Sequence, residues 1–199
     1  AKRVIKIVVL IIDLVDKRYS PKVLILYPIM RRPERNEYAE YYEGYVSSIP
    51  EDDVVGVLAG QAAELEAMIG GLPEEKGTFS YADGKWTIKE LLGHIIDGER
   101  VFGYRLHRFS HGDATPLASF DQDIYVNNGR SNQRTFADLL DEFSSVRRGN
   151  LSLVRTLREA DWDLAGTASN AHVTVRALAF IMAGHVRHHL RILQERYLA

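Results

Sequence analysis

The chain has 199 residues and a formal net charge of −2 at pH 7, a length that is enough for one domain with a substantial core. It lacks the basic surplus of proteins that bind nucleic acid or anionic membranes, so we expect neither partner. There is no cysteine, which excludes disulfides, thiolate-bound metal and a cysteine nucleophile, and which is compatible with a cytoplasmic protein. Any metal ion would therefore be held by nitrogen and oxygen ligands.

Residues 1–29 stand apart from the rest of the chain. Residues 4–15 and 23–27 are apolar runs too short to cross a bilayer, and no small-residue cleavage pattern follows the first. Their β-branched content is typical of a strand hairpin, and the same residues could instead form a short buried helix. A third interpretation is that the natural sequence starts at Met30. We assign no chemistry to this extension and take residues 30–199 as the domain.

Four stretches of the domain carry apolar residues at the spacing of an amphipathic helix. The first starts with three acidic residues after Pro50 and ends at a Gly-Gly pair, which are common start and stop signals. The second opens with Thr87 and Glu90 at the spacing of a capping box, and the third begins after Thr135. The four predicted helices cover residues 51–69, 87–109, 136–157 and 174–197. The pattern predicts an all-α fold, a four-helix bundle with a single core.

The segments between these helices carry further patterns. Four tyrosines within residues 31–50 are expected to lie along a packing surface with their hydroxyls in water. Residues 110–134 are too long for a simple turn, which indicates either a functional loop or a crossover between helices that are not neighbours. Within that connection, residues 120–125 could line the mouth of a site, although we favour a solvated acidic turn.

The candidate chemistry lies on the second and fourth predicted helices. His185 and His189 are one turn apart near the centre of the apolar stripe of the fourth helix. His94 lies on the shoulder of the stripe of the second helix, with Gly98 one turn later to leave space beside it. Bundles build metal sites from facing helices, and three neutral imidazoles can bind one divalent ion while a coordination position stays open. The alternative is that all three are core histidines bonded to buried partners.

Two other residues near these stripes have more than one interpretation. His188 lies at the edge of its stripe, and is either a partly exposed residue or a group that supports the ligands or contacts substrate. Glu99 projects from the middle of an apolar stripe, so it is either a buried acid or base or, as we favour, half of an ion pair. Its partner would be a core arginine such as Arg155 or Arg176. The remaining histidines, which we expect to face solvent, are His107, His111 and His172.

Two motifs resemble the DinB-like (DinB/YfiT) superfamily. They are KWTIKELLGHIIDGER at residues 85–100 and GHVRHHL at residues 184–190. Both occur in the order and at the distance seen in that family, and the resemblance covers roughly residues 31–198. It does not reach residues 1–29.

The resemblance implies an up-down-down-up four-helix bundle and a homodimer. It also implies a divalent ion, commonly nickel or zinc, on three histidines, which carry over to His94, His185 and His189. These are the same residues that helical periodicity selects.

The activities known in that family are thiol-dependent S-transfer, a mycothiol-dependent isomerisation and metal-dependent hydrolysis. We therefore expect a metal-dependent enzyme that activates water or a low-molecular-weight thiol against a small-molecule substrate. The alternative is a non-catalytic metal-binding or dimerisation bundle with a role in the stress response.

Overall fold

A computed structural model describes residues 31–199, and the predictions for residues 1–29 lie outside that range. Within it the helices are α1 (Glu43–Ser47), α2 (Val54–Ile69), α3 (Ile88–Ser110), α4 (Gln122–Asn128), α5 (Phe136–Val154) and α6 (Val175–Ile192). A short antiparallel hairpin, β1 (Ala165–Ala168) and β2 (Ala171–Thr174), precedes α6. The fold is the predicted all-α bundle, built from α2, α3, α5 and α6.

Local sequence signals set the helix starts. The side chain of Thr87 accepts a hydrogen bond from the backbone N–H of Glu90, whose carboxylate accepts one from the N–H of Thr87, which confirms the predicted capping box. Thr135 caps α5 as predicted. The first bundle helix begins later than predicted, at Val54, because Asp53 caps it by accepting from the N–H of Gly56.

The α3 and α6 helices are antiparallel neighbours. Trp86, just before α3, accepts a hydrogen bond from the hydroxyl of Tyr197, which lies beyond the end of α6. Further along α3, the ring of His94 contacts that of His185, which comes earlier in α6. The two helices therefore run in opposite directions.

The α5 helix is parallel to α3 and antiparallel to α2. Lys89 near the start of α3 lies over the ring of Phe136 at the start of α5, and Glu99 further along α3 meets Arg147 further along α5. Arg147 also donates to the carbonyl oxygen of Leu58 near the start of α2, whereas the first residue of α5 bonds to the segment that follows α2. The bundle thus has the up-down-down-up connection that the resemblance implied.

Parallel packing of α3 and α5 explains the long connection between them. The two helices are neighbours, so of the two alternatives for residues 110–134 the crossover between helices that are not neighbours is excluded. The connection is long because two consecutive parallel helices require the chain to return along the length of the bundle. It contains α4 and a 3₁₀ turn, Ser131–Gln133.

The hairpin before α6 is an element that the sequence pattern did not predict. Its strands pair from Ala165 with Thr174 to Ala168 with Ala171. The two turn residues, Ser169 and Asn170, have φ values of 53° and 62°, as a two-residue hairpin turn with a type I′ backbone requires.

The core contains a buried ion pair that the sequence predicted, but with a different partner for Glu99. Glu99 is 1% exposed and pairs with Arg147 through two hydrogen bonds of 2.7 Å. The favoured prediction of a buried ion pair is confirmed, but the partner is neither Arg155, which is exposed, nor Arg176, which pairs with Glu37. Arg147 reaches Glu99 because α5 lies directly against α3 at this level.

No helix within residues 31–199 is both long and apolar enough to cross a membrane.

Candidate metal centre

Three histidine side chains from two helices meet inside the bundle. His94 lies on α3, and His185 and His189 lie one turn apart on α6. Each offers a ring nitrogen, and the three nitrogens lie within 4.8 Å of one another. The Nε2 atoms of His94 and His185 are 3.0 Å apart. The structure therefore brings together the three residues that the sequence selected.

Burial keeps these rings neutral. Their exposed fractions are 4% for His94, 4% for His185 and 6% for His189. Desolvation lowers the pKa of His94 to about 4 and holds the pKa of the other two well below the usual value. Neighbouring rings add to this effect, because a charge on one disfavours a charge on the next. A neutral imidazole is the form that can bind a metal ion.

Several nitrogens of the cluster lack a hydrogen-bond partner within residues 31–199. They are Nδ1 of His94 and both ring nitrogens of His189. Buried polar atoms are rarely left unpaired. In a neutral His189 ring one nitrogen carries a proton and the other a free electron pair, so this ring can donate to a bound ion. Two nitrogens bound to one ion at about 2.0–2.1 Å lie roughly 3.0–3.4 Å apart, which agrees with the distance between His94 and His185. The donor set fits a divalent transition-metal ion.

Aromatic rings and a glycine shape the pocket around the cluster. The ring centroid of Trp86 lies 4.7 Å from that of His94, and that of Phe102 lies 5.5 Å from that of His185. A Cβ atom at Gly98 would lie 2.5 Å from Cε1 of His185. The space predicted beside His94 is therefore occupied by the ring of His185.

A second glycine brings the tyrosine-rich segment onto the cluster. A Cβ atom at Gly184 would overlap the backbone carbonyl of Tyr45, so only glycine permits this close approach of α1 to α6. The ring of Tyr45 packs edge-on against His185, at a centroid distance of 5.6 Å. Burial raises the pKa of Tyr45 to about 12, so its hydroxyl stays protonated. The segment forms a packing surface as predicted, but the prediction that the tyrosine hydroxyls lie in water is wrong for Tyr38, which is buried and donates to Glu43.

A cavity of about 310 Å³ extends from the histidines toward the hairpin. His94 and His185 form part of its wall. The wall also includes Tyr42, Tyr45, Phe102, Arg105 and Ser169. The cavity gives a small molecule a place beside two of the three rings.

The connection between α3 and α5 also contributes to the cavity. Phe120 and Gln122 line it, so the favoured prediction of a solvated turn is wrong for the half-buried Phe120, whereas Gln122 lines the cavity and is exposed as well. The prediction holds for Asp121 and Asp123, which are exposed. Asp121 caps α4, and its carboxylate accepts two backbone hydrogen bonds from the first turn of that helix.

The remaining candidates lie outside the cluster. His188 is half-buried and packs edge-on against Tyr45, and no hydrogen bond within the described chain joins it to the three histidines. Glu99 faces Arg147 and makes no hydrogen bond to the histidines among residues 31–199. His107, His111 and His172 are exposed, as predicted.

Two polar residues of the cavity are not evident from the sequence pattern. Arg105 follows His94 by eleven residues, which is three helical turns, so the spacing alone places both on one face of α3. Periodicity does not show that this face borders a cavity. Ser169 lies in the hairpin turn that the pattern did not predict.

Fold and site together define a helical bundle with a buried three-histidine cluster beside a cavity. The sequence profile of the DinB superfamily matches residues 58–193, and the chain belongs to that superfamily. The matched range contains all three histidines. No curated protein matches the sequence.

Solved structures that share the fold include YfiT and a maleylpyruvate isomerase. YfiT from Bacillus subtilis, described as a probable metal-dependent hydrolase with an unusual four-helix bundle topology, is 17% identical with a TM-score of 0.68. The match covers 83% of this chain and 91% of YfiT. A mycothiol-dependent maleylpyruvate isomerase is 13% identical with a TM-score of 0.60, over 73% of this chain and 61% of the isomerase chain. At these identities the likeness shows the bundle fold alone.

Proposed function

We propose that this protein is a metal-dependent enzyme that binds one divalent ion, nickel or zinc, through His94, His185 and His189. The observation that carries the proposal is the set of three buried, neutral imidazoles beside a cavity, with unpaired nitrogens on His94 and His189. The substrate is a small molecule, and the attacking group is water or a low-molecular-weight thiol. By resemblance to its superfamily, we also expect the protein to be a homodimer.

An ion held by these nitrogens would supply Lewis acidity, lowering the pKa of a water or thiol at its open position. The chain's own residues prepare the site for that chemistry. Burial keeps the imidazoles unprotonated, and the rings of Trp86 and Phe102 exclude water from their sides. Access to the site is then through the cavity, where the substrate would lie.

The cavity favours an enzyme over a non-catalytic metal-binding or dimerisation bundle. A purely structural ion is normally enclosed by four protein ligands, whereas a catalytic ion keeps a position for substrate. Three histidines with a cavity beside two of them match the second arrangement. The descriptions of the two structural neighbours support hydrolysis and thiol-dependent chemistry respectively, so both remain within the proposal.

Metal analysis tests the ligand set. Protein purified without a histidine tag should contain about one nickel or zinc ion per chain by elemental analysis, and His185→Ala should contain none. His107→Ala is the matched control, because His107 is an exposed histidine on α3, and it should keep the ion. Equal metal content in both variants would contradict the assignment.

Spectroscopy separates the enzyme from the non-catalytic alternative. The cobalt-substituted protein should change its visible spectrum when 2-mercaptoethanol is added, because the thiolate can take an open coordination position. Ethylene glycol, the oxygen analogue, is the control and should have little effect. A spectrum that does not respond to the thiol would favour a closed, non-catalytic site.

A further inference from the structure

Arg105 is a buried cation in the wall of the cavity. Its side chain is 3% exposed. It lies on the same face of α3 as His94, about 16 Å further along the helix axis at a rise of 1.5 Å per residue. The cavity therefore has a histidine end and an arginine end.

All the partners of this guanidinium within residues 31–199 are neutral. It donates to Oγ of Ser169 at 2.8 Å, to the carbonyl oxygen of Ala118 at 3.2 Å and to the hydroxyl of Tyr42 at 3.5 Å. A guanidinium has five N–H donors, so two have no partner among these residues. No carboxylate of the described chain lies within ion-pair distance of it.

The other buried arginines of the described chain are paired differently. Arg147 binds the carboxylate of Glu99, and Arg176 binds that of Glu37. An unpaired buried charge is unfavourable, which is why buried arginines normally meet an acid. Arg105 departs from this pattern, and it lines a cavity through which an external anion could reach it.

Aromatic rings line the path between the two ends. The ring centroid of Phe102 lies 5.5 Å from that of His185 and 5.9 Å from Cζ of Arg105. Tyr42 packs edge-on against Phe102, at a centroid distance of 6.2 Å. A ligand that reached both ends would place an apolar or unsaturated body against these rings.

We propose that Arg105 binds a carboxylate of the substrate. The substrate class is then small organic acids with an apolar or unsaturated body, whose reacting group lies at the histidine end. Ser169 and the carbonyl of Ala118 orient the guanidinium for this contact. The position of the reacting group rests on the proposed metal function, but binding of the carboxylate by Arg105 does not.

Benzoate and its neutral analogue benzamide test the proposal by calorimetry. Metal-loaded wild-type protein should bind benzoate at least tenfold more tightly than benzamide. Arg105→Gln should weaken benzoate binding by about 10- to 100-fold, the effect of losing a charge-assisted hydrogen-bond pair. Arg105→Lys keeps the charge without the planar fork and should lose less. The matched control is Arg100→Gln, an exposed arginine on α3 outside the cavity, which should bind like wild type.

The same titrations on chelator-treated protein separate this proposal from the metal assignment. Benzoate binding that depends on Arg105 with and without the ion supports the carboxylate site, even if the histidines prove to bind no metal. Benzoate that binds only the metal-loaded protein and is indifferent to Arg105→Gln sits on the ion, which overturns the proposal. Equal affinity of wild type for benzoate and benzamide overturns it without any variant, so a folding defect in Arg105→Gln leaves the test intact.

Discussion

The missing side chain at Gly98 is what allows the ring of His185 to lie against α3. Glycine inside a helix is normally unfavourable by about 0.5–1 kcal/mol relative to alanine. At Gly98 the close approach outweighs this cost, because a methyl group would lie 2.5 Å from a ring carbon of His185, whose buried ring would have to shift.

Gly98→Ala should therefore disturb the histidine cluster. We expect metal affinity to fall by about 10- to 100-fold, as when other groups that position a metal ligand are changed. Elemental analysis after dialysis against a weak chelator measures this. Gly149→Ala is the control, since nothing lies near its position on the exposed face of α5, and it should bind metal normally and be slightly more stable. Equal metal retention in both variants would show that His185 tolerates the methyl group.

The low pKa of the buried histidines predicts how the metal-free protein responds to acid. The pKa of His94 is about 4 in the folded chain and about 6.5 when unfolded, so below pH 6.5 the unfolded chain binds more protons. The free energy of unfolding should then fall as the pH drops from 6.5 toward 4, by about 3 kcal/mol from His94 alone. Urea unfolding of chelator-treated protein at several pH values measures this. His94→Gln should show a shallower dependence, and equal slopes would contradict the prediction.

At the scale of elements, one buried network joins all four bundle helices, because Gln61 on α2 also donates to the backbone carbonyl of Ala183 on α6. Arg147 on α5 binds Glu99 on α3, and it donates to the Leu58 carbonyl and the Gln61 side chain on α2. Asn150, one turn later on α5, also donates to the Glu99 carboxylate. The network fixes the level at which α3 sits against α5, and therefore the height of His94 in the bundle.

Glu99→Ala should destabilise the fold strongly, because it leaves the Arg147 charge buried and unpaired. We expect the free energy of unfolding to fall by about 3–5 kcal/mol in urea titrations. The comparison is Arg100→Ala, which removes an ion pair with Glu142 on the exposed side of the same helices and should cost no more than about 1 kcal/mol. Similar losses in the free energy of unfolding would show that the buried pair stabilises the fold no more than the exposed pair does.

Local sequence patterns did not show that the connections between the bundle helices contribute to the cavity. The prediction for residues 120–125 weighed a solvated turn against a site mouth, and composition favoured the turn. Phe120 and Gln122 reach the cavity because the connection runs back along the bundle past its open side. Ser169 reaches Arg105 because the hairpin turn lies beside the same opening.

At the scale of the whole molecule, the number of chains in the assembly is the property to test. From the superfamily resemblance we expect a homodimer, so light scattering at micromolar concentration should give twice the chain mass of 22.5 kDa. The exposed aromatic and aliphatic side chains Tyr41, Tyr104 and Ile124 are candidates for the interface. A mass of one chain at all concentrations would contradict this prediction.

The sequence by itself determined the four bundle helices, the capping box at Thr87 and the histidines that face the core. These follow from spacing along a single helix, which the chain states directly. The choice of His94, His185 and His189 also needed only the apolar stripes of two helices and the motifs that resemble the superfamily.

Only the tertiary structure decided which side chains meet across the bundle. It made Arg147 rather than Arg155 or Arg176 the partner of Glu99, and it placed Arg105 in a cavity without an acid. These outcomes depend on the relative height and direction of helices that are far apart in the chain. Helical periodicity shows on which face of its helix a residue lies. Packing between helices determines at which level along the bundle two such faces come into contact.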